Sequence, residues 1–325
     1  MNVNVRLWAS IVVFLTTLFP AVGMSAERSP NEIAVAYVAV SGSYGPLWVA
    51  KDEGLFKKYG LEVSLQYLNP TVGVQALVAG EVDIYAGGTA ALEAAVNGAD
   101  IVYIGSILDK FVLSLFVQPE IKDVSELRGK VVGVSQPGAP TDVGAQIVLR
   151  GAGLVPDRDV KLSYLKGVPE ILAALQQKII HAGVINPPIT VMARRAGLKE
   201  LVDLGKLPER FPQTAFIARR SFLGSHNDPL IRFFKGYSEG VRFARENPRR
   251  AQEIIAKYTK VSDQEVNVEN YKAFAPWWEM PPFVTEAGIQ AALSISTTPK
   301  ARLVKATDFI DNQIIKQLSD TGFFK

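Results

Sequence analysis

The chain has 325 residues, a formal net charge of +3 and no cysteine. Without cysteine there are no disulfides, no thiolate metal sites, no thiol nucleophile and no lipid attachment through an N-terminal Cys. The charge is small for this length and its cations alternate with acids, as in KDEGLFKK (51–58), which argues against a nucleic-acid partner.

Residues 1–26 carry one early cation, Arg6, then an apolar run from Leu7 to Val22 interrupted by Ser10, Thr16, Thr17 and Pro20, then the small residues Ser25 and Ala26. This three-part layout predicts a secretory signal peptide cleaved near Ala26. A membrane anchor is the competing reading, but the run is shorter than the roughly 20 apolar residues a bilayer core requires. An exported chain without a lipid anchor would diffuse away from a cell lacking an outer membrane, so a periplasmic location is expected. The remaining 300 or so residues suffice for two ordinary domains.

From there β-rich runs alternate with amphipathic helical segments, the pattern of an α/β fold with mainly parallel sheets. Strands are predicted at 35–40, 61–67, 83–86, 101–104, 113–117, 131–135, 162–165, 182–185 and 214–218. Helices are predicted between them at 46–59, 72–79, 90–97, 142–151, 169–177 and 188–196. After Phe222 the reading is helical, at 228–246, 248–258 and 301–319, with no comparable strand. A chain that builds one lobe, crosses to a second and returns would cross near 110–113 and 214–220. The expected division is therefore lobe I, residues 27–112 plus 217–325, and lobe II, residues 113–216. The segments ALVAGEVDIYAGG (76–88) and ALQQKIIHAGVIN (174–186) align as a faint internal repeat.

The stretch PLWVAKDEGLFKKYGLEVSL (46–65) resembles the nitrate, sulfonate and taurine group of periplasmic binding proteins, which includes binders of the thiamin pyrimidine precursor. The resemblance continues through ALVAGEVDIYAGGTAAL (76–92), ELRGKVVGVSQPGAPTD (126–142) and, less closely, ILAALQQKIIHAGVINPP (171–188). One segment departs from the pattern: where the group reads Gly, acid, apolar, Asp, the second half has Lys178, Ile179, Ile180 and His181. The resemblance implies two α/β lobes joined by hinge strands and closing on a small anionic or heteroaromatic solute. It also implies delivery to the inner-membrane permease of an ABC importer by a monomeric binder without a cofactor.

Open α/β sheets bind ligands at the carboxyl ends of their strands, so the loops that follow the predicted strands hold the candidate residues. In SGSYG (41–45), Ser41, Gly42 and Ser43 offer hydroxyls and close backbone approach, and Tyr44 a stacking face; the segment also reads as an ordinary Gly/Ser turn. Gly88 and Thr89 lead into a helix whose N-terminal amides favour an anion or a carbonyl, or Thr89 simply caps it. In SQPGAPTD (135–142), Gly138 allows close approach and the helix begins near Thr141, or Asp142 completes the cap and its charge then discourages an anion. Asn186 can donate and accept, and Lys166 is the cation best placed to meet a carboxylate or sulfonate, although a loop lysine is usually just solvated.

The aromatic stretch FAPWWEMPPF (274–283) is either a wall for a ring-shaped ligand or a core plug, and RENPRR (245–250) reads as a helix break with solvated arginines. Some thiamin-precursor and menaquinone-pathway enzymes resemble these binders, so catalysis is the rival class. It would need an acid–base pair or a metal set, and the two histidines, His181 and His226, lack metal-ligand spacing. A third reading, a binding subunit that reports to a membrane sensor, is left open by the sequence.

Overall fold

The computed structural model describes residues 29–208, 210–296 and 298–325, so the expected signal peptide lies outside the described residues. In chain order, β1 (Glu32–Tyr37), α1 (Gly45–Asp52), α2 (Leu55–Lys58), β2 (Glu62–Tyr67), α3 (Pro70–Ala79), β3 (Ile84–Gly87), α4 (Ala90–Val96) and β4 (Ile101–Leu108) form the first unit. Then come β5 (Ser114–Val117), β6 (Val131–Val134), α5 (Pro140–Gly151), β7 (Lys161–Tyr164), α6 (Val168–Gln176), β8 (Ala182–Ile185), α7 (Ile189–Arg195) and β9 (Lys199–Asp203). The chain returns through β10 (Thr214–Arg219) and ends in α8 (Arg220–Ser225), α9 (Asn227–Glu246), α10 (Pro248–Thr259), α11 (Gln264–Phe274), α12 (Glu286–Ile295) and α13 (Gln313–Asp320).

These strands make two five-stranded sheets, in the orders β2-β1-β3-β10-β4 and β7-β6-β8-β5-β9. Each has three parallel strands, β2-β1-β3 or β7-β6-β8, followed by an antiparallel one, β10 or β5. The two sheets thus repeat one topology, with β1, β2, β3, β10 and β4 matched by β6, β7, β8, β5 and β9. The inner strands β3 and β8 are buried at every position, as expected where helices cover both faces.

The repeat explains the segment that departs from the family pattern. In the first sheet the Ala34 amide donates to the Asp83 carboxylate at 2.8 Å, tying β1 to the start of β3. In the second, the Val131 amide donates to His181 Nδ1 at 3.3 Å at the corresponding place. Gly80 and Lys178 precede them with the same left-handed backbone, φ 83° and 56°. His181 therefore stands in for an aspartate as an acceptor at the amino ends of the strands.

Three expectations differ from what forms. The predicted helix 46–59 is two helices, broken where Gly54 takes φ 69°. β9 went unread because KELVD offers only Leu201 and Val202 to a half-buried edge position. The predicted helix 301–319 is helical as α13 only over Gln313–Asp320, preceded by two short 3-10 turns, and α11 and α12 were missed. The tail shields a sheet edge. The Pro282 carbonyl accepts from the Ser106 amide, the Glu279 amide donates to Ile107 and that of Asp311 to Tyr103, so the edge strand β4 is covered along its length. On the other face Gly236 and Gly240 let α9 lie close to the first helices. A Cβ at Gly240 would meet the Pro46 carbonyl at 2.4 Å.

The chain passes between the sheets twice, at 109–113 and 204–213, and the two crossings touch. Phe111 stacks on Phe211 with ring centres 4.2 Å apart. The Val112 amide donates to Gln213 Oε1 at 2.6 Å, and the Phe211 amide to the Asp109 carbonyl at 3.1 Å. β10 belongs wholly to the first sheet, so the sequence-based division at 216/217 cuts through it.

Beside the crossings, the buried Asp109 carboxylate accepts from Thr285 Oγ1 at 2.7 Å and faces Arg210 and Glu279. Burial pushes the Asp109 carboxyl above its ordinary value, against the lowering effect of Thr285 and Arg210. A raised folded value means that its contribution to stability is present below the ordinary carboxylate range and is lost as pH rises through the raised value. The stability of the unsubstituted protein minus that of Asp109→Asn should therefore fall as pH rises from acid to neutral, as read by urea unfolding at each pH; a flat or rising difference would contradict this assignment.

Candidate functional site

The loops at the carboxyl ends of the parallel strands of both sheets converge on one cavity of about 760 Å³. From the first sheet come the segments after β1 and β2 and Gly88 after β3. From the second come those after β6, β7 and β8. Gln213 and Thr214 close the side nearest the crossings, and Thr259–Asp263 of the tail closes another.

Among the sequence-predicted residues, Ser41, Ser43, Tyr44, Gly88, Thr141, Lys166 and Asn186 line this cavity. Ser41 Oγ and Ser43 Oγ lie 2.7 Å apart, both buried. The Thr141 hydroxyl accepts from the Ser135 amide at 3.0 Å and pairs with the Ser135 hydroxyl at 2.6 Å. Asn186 Nδ2 donates to the Pro187 carbonyl at 3.1 Å. At Gly88 a Cβ would meet the Gln213 carbonyl at 2.7 Å and Pro140 Cγ at 3.0 Å, so only glycine lets the two halves approach there. Lys166 is exposed, with φ 70°, and its amide donates to the Ser135 carbonyl at 2.9 Å.

Three predicted residues lie elsewhere. Gly42 sits behind its loop, donating to Asn270 Oδ1 at 3.0 Å and accepting from Trp278 Nε1 at 3.1 Å. Thr89 makes no cap; its hydroxyl donates to the Gly138 carbonyl across the gap between the sheets. Thr89 and Gly138 instead border a second cavity of about 580 Å³, together with Glu93, Asp142 and Arg150. Asp142 does not stand free: it accepts from the Gly138 amide at 2.8 Å and from Gln146, and burial pushes its carboxyl upward.

Tyr44 lines the cavity but is buried, whereas the Tyr67 ring is half exposed there. Tyr44 is 1% exposed, its hydroxyl donates to the Ala86 carbonyl at 2.9 Å, and burial drives that hydroxyl's pKa up. Tyr67, 52% exposed, turns its ring into the cavity mouth and leans on Tyr37 at 5.8 Å. Its sequence signal was its place as the last residue of an alternating strand, at the carboxyl end. Gln213, Met192 and Lys260 also line the cavity and had no such signal, because only the return crossing, α7 and the tail bring them there.

Neither candidate outside the loops faces this cavity. Trp278 is a core plug, its ring against Gly45 and Tyr271. Trp277 is exposed and lies under Lys110 at 5.1 Å. His181 lies at the opposite end of β8, and His226 stacks on Phe222 at 4.0 Å. Among the described residues no group of three metal-ligating side chains occurs.

Among the described residues, two further contacts cross the cleft. Thr71 Oγ1 donates to Gln136 Oε1 at 2.9 Å. Arg195, at the end of α7, meets Asp263 Oδ2 at 2.5 Å and also Glu265, both from the tail. All three charged groups are substantially exposed, so the pairing is weak and is screened by salt.

Two sheets of one topology, crossed twice and enclosing a cavity between facing strand ends, define the periplasmic-binding-protein fold. The profile of the NMT1/THI5-like family matches residues 42–251, and the chain belongs to that family. A protein of Brucella abortus (strain 2308) named as a binding protein is 29% identical over 257 residues, 78% of each chain. YtlA of Bacillus subtilis (strain 168), also named as a binding protein, is 26% identical over 250 residues, 72% of each.

Among solved structures, the alkanesulfonate-binding protein SsuA of Xanthomonas axonopodis pv. citri, bound to MOPS, superposes with a TM-score of 0.73 at 17% identity, covering 88% of this chain and 99% of that one. The nitrate-binding protein NrtA of Synechocystis PCC 6803 gives 0.71 at 13% identity, covering 90% and 89%. The desulfurization enzyme DSZB gives 0.64 at 12%, covering 89% and 99%, so the fold by itself does not separate binding from catalysis.

If Arg195 helps to hold the two halves together, Arg195→Met should raise the radius of gyration in low salt, measured by small-angle X-ray scattering. The difference from the unsubstituted protein should vanish in about 1 M NaCl, where the screening length falls to about 3 Å; an unchanged radius at low salt would remove the contact from this role.

Proposed function

We propose that this protein is the periplasmic solute-binding component of an ABC importer, closing two lobes on a small organic solute for delivery to a membrane permease. The first sheet with the tail forms one lobe and β5–β9 the other. The observation that carries the reading is the convergence of strand-end loops from both sheets on one cavity, with hydroxyls at Ser41, Ser43 and Thr141 and an amide at Asn186. Such a protein needs only a higher affinity for the closed arrangement than for the open one, since that difference is what shifts the two populations.

Its size bears on the solute. A cavity of about 760 Å³ falls within the range of sites for drug-sized molecules and is far larger than a nitrate ion needs. Tyr67, Leu113, Ile189 and Met192 offer an apolar wall beside the hydroxyls, which supports a solute with a carbon body and an acidic or heteroaromatic end. Export is supported by the leader pattern read in residues 1–26, and the permease partner by family membership.

Thermal-shift screening with sulfonates, nitrate, pyrimidines and aromatic carboxylates tests this reading. A ligand at a hundred times its dissociation constant adds about 2.7 kcal/mol to stability. For a solute found in this way, Ser41→Ala combined with Asn186→Ala should lower affinity at least tenfold by calorimetry while leaving the unliganded melting temperature nearly unchanged. Unaltered affinity would place the solute outside this cavity.

A further inference from the structure

The charges around the cavity are not equally committed. Two carboxylates line it, Glu170 and Asp263; Asp263 is ion-paired, whereas Glu170 has no ion-pair or hydrogen-bond partner among the described residues. Glu170 stands in the first turn of α6 and folds back over its own helix start: its Oε2 lies 2.6 Å from where a Cβ on Gly167 would be. There the amide dipoles of the helix offset part of its charge; burial first, and then what remains of that charge, raises the pKa of the Tyr67 hydroxyl. Asp263 caps α11, accepting from the Val266 amide at 3.0 Å, and is held by Arg195.

Two cations line the same cavity, Lys166 and Lys260, and among the described residues neither ammonium has an ion-pair or hydrogen-bond partner. Both are exposed, and both sit on left-handed backbone, φ 70° and 56°. They approach from opposite lobes. Lys166 follows β7 of the second sheet. Lys260 ends α10, which is fixed to the first lobe through the stack of Tyr258 on Trp48 at 4.9 Å. With Asp263 paired and Glu170 the one unpaired acid, the two lysines leave a net positive charge for a ligand, divided between the two walls. The surface between is largely apolar, including Val40, Tyr67, Val168, Ile189 and Met192.

We propose that the solute carries two acidic groups on an apolar body, one received by Lys166 and the other by Lys260, so that the ligand itself bridges the lobes by charge. This inference rests on the reading of the interlobe cavity as the solute site, and goes beyond it by naming the second acid and the residue that meets it. A flexible ammonium on each lobe acts as a point charge and tolerates a range of body shapes. The hydroxyls and Asn186 then orient the body, and the charges select for its ends.

The test uses probes matched in body and differing by one acid: terephthalate against benzoate, and adipate against hexanoate. Isothermal titration of the mature protein should give at least one diacid a tenfold or greater advantage over its monoacid partner. Lys166→Met and Lys260→Met, each with an unchanged unliganded melting temperature, should each bring that diacid to the level of the monoacid. Equal affinities for diacid and monoacid, or a diacid preference that survives both substitutions, would overturn the proposal. If a pyrimidine or monosulfonate binds in the cavity while neither diacid does, the two-acid inference falls and the solute-binding reading stands. Silence from every probe and from the wider panel would remove both.

Discussion

Everything in this molecule that concerns a ligand depends on the two crossings lying side by side. Phe111 on Phe211, and the Gln213 amide oxygen on the Val112 backbone, tie together the only two segments that pass between the sheets among the described residues. Because the crossings are adjacent, the two sheets cannot drift apart there, and the strand ends beyond them must face one another. Gly88 marks how close that approach is, since a single methyl group would collide with backbone from the crossing and with Pro140 of the opposite lobe. The cavity is the space left between two packed bodies that share one pivot.

The internal repeat shows how sequence can change under a fixed mechanical role. Asp83 and His181 share little chemistry apart from an acceptor, yet each receives an amide from the neighbouring strand at the end far from the ligand. The requirement being met is that a buried backbone donor finds a partner. A departure from a family pattern at such a place says nothing about cargo. In the proposed reading the solute is met at the other end of the same strands, where Gly88 and Asn186 stand at matching points of the two sheets.

Electrostatics in the cleft follow from what each charge is already doing. Asp142, which looks in the sequence like an obstacle to an anion, closes its own loop onto the Gly138 amide and borders the second cavity rather than the main one. Asp263 lines the main cavity but spends its charge on the start of α11 and on Arg195, and Glu170 has only the dipoles of its own helix start. The lysines have no such engagement. Counting formal charges would call the cleft neutral; following their partners gives it a sign.

Fold class and the loops of the site were legible in the sequence because both follow local rules. Parallel strands buried on two faces read as unbroken apolar runs, helices between them show their periodicity, and strand carboxyl ends can be counted off in order. Ser41, Ser43, Thr141 and Asn186, which line the cavity, were placed at strand ends in that way. β9, α11 and α12 were not, since KELVD is polar at an edge and the tail is organised by what it covers, namely the exposed side of β4.

Gly42, Thr89 and Gly138 were placed in the right loops but on the wrong side of them, because loop position does not fix which way a backbone turns. Exposure of the Tyr67 ring and burial of Tyr44, the arrival of Lys260 and Gln213, and the pairing of Arg195 across the cleft all join residues far apart in the chain. The sequence by itself determined the elements and the ends at which a ligand could sit, since those depend on neighbours a few residues away. Only the tertiary structure decided which side chains share the cavity and which charges remain uncommitted, since both depend on two lobes being folded against each other about a common pair of crossings.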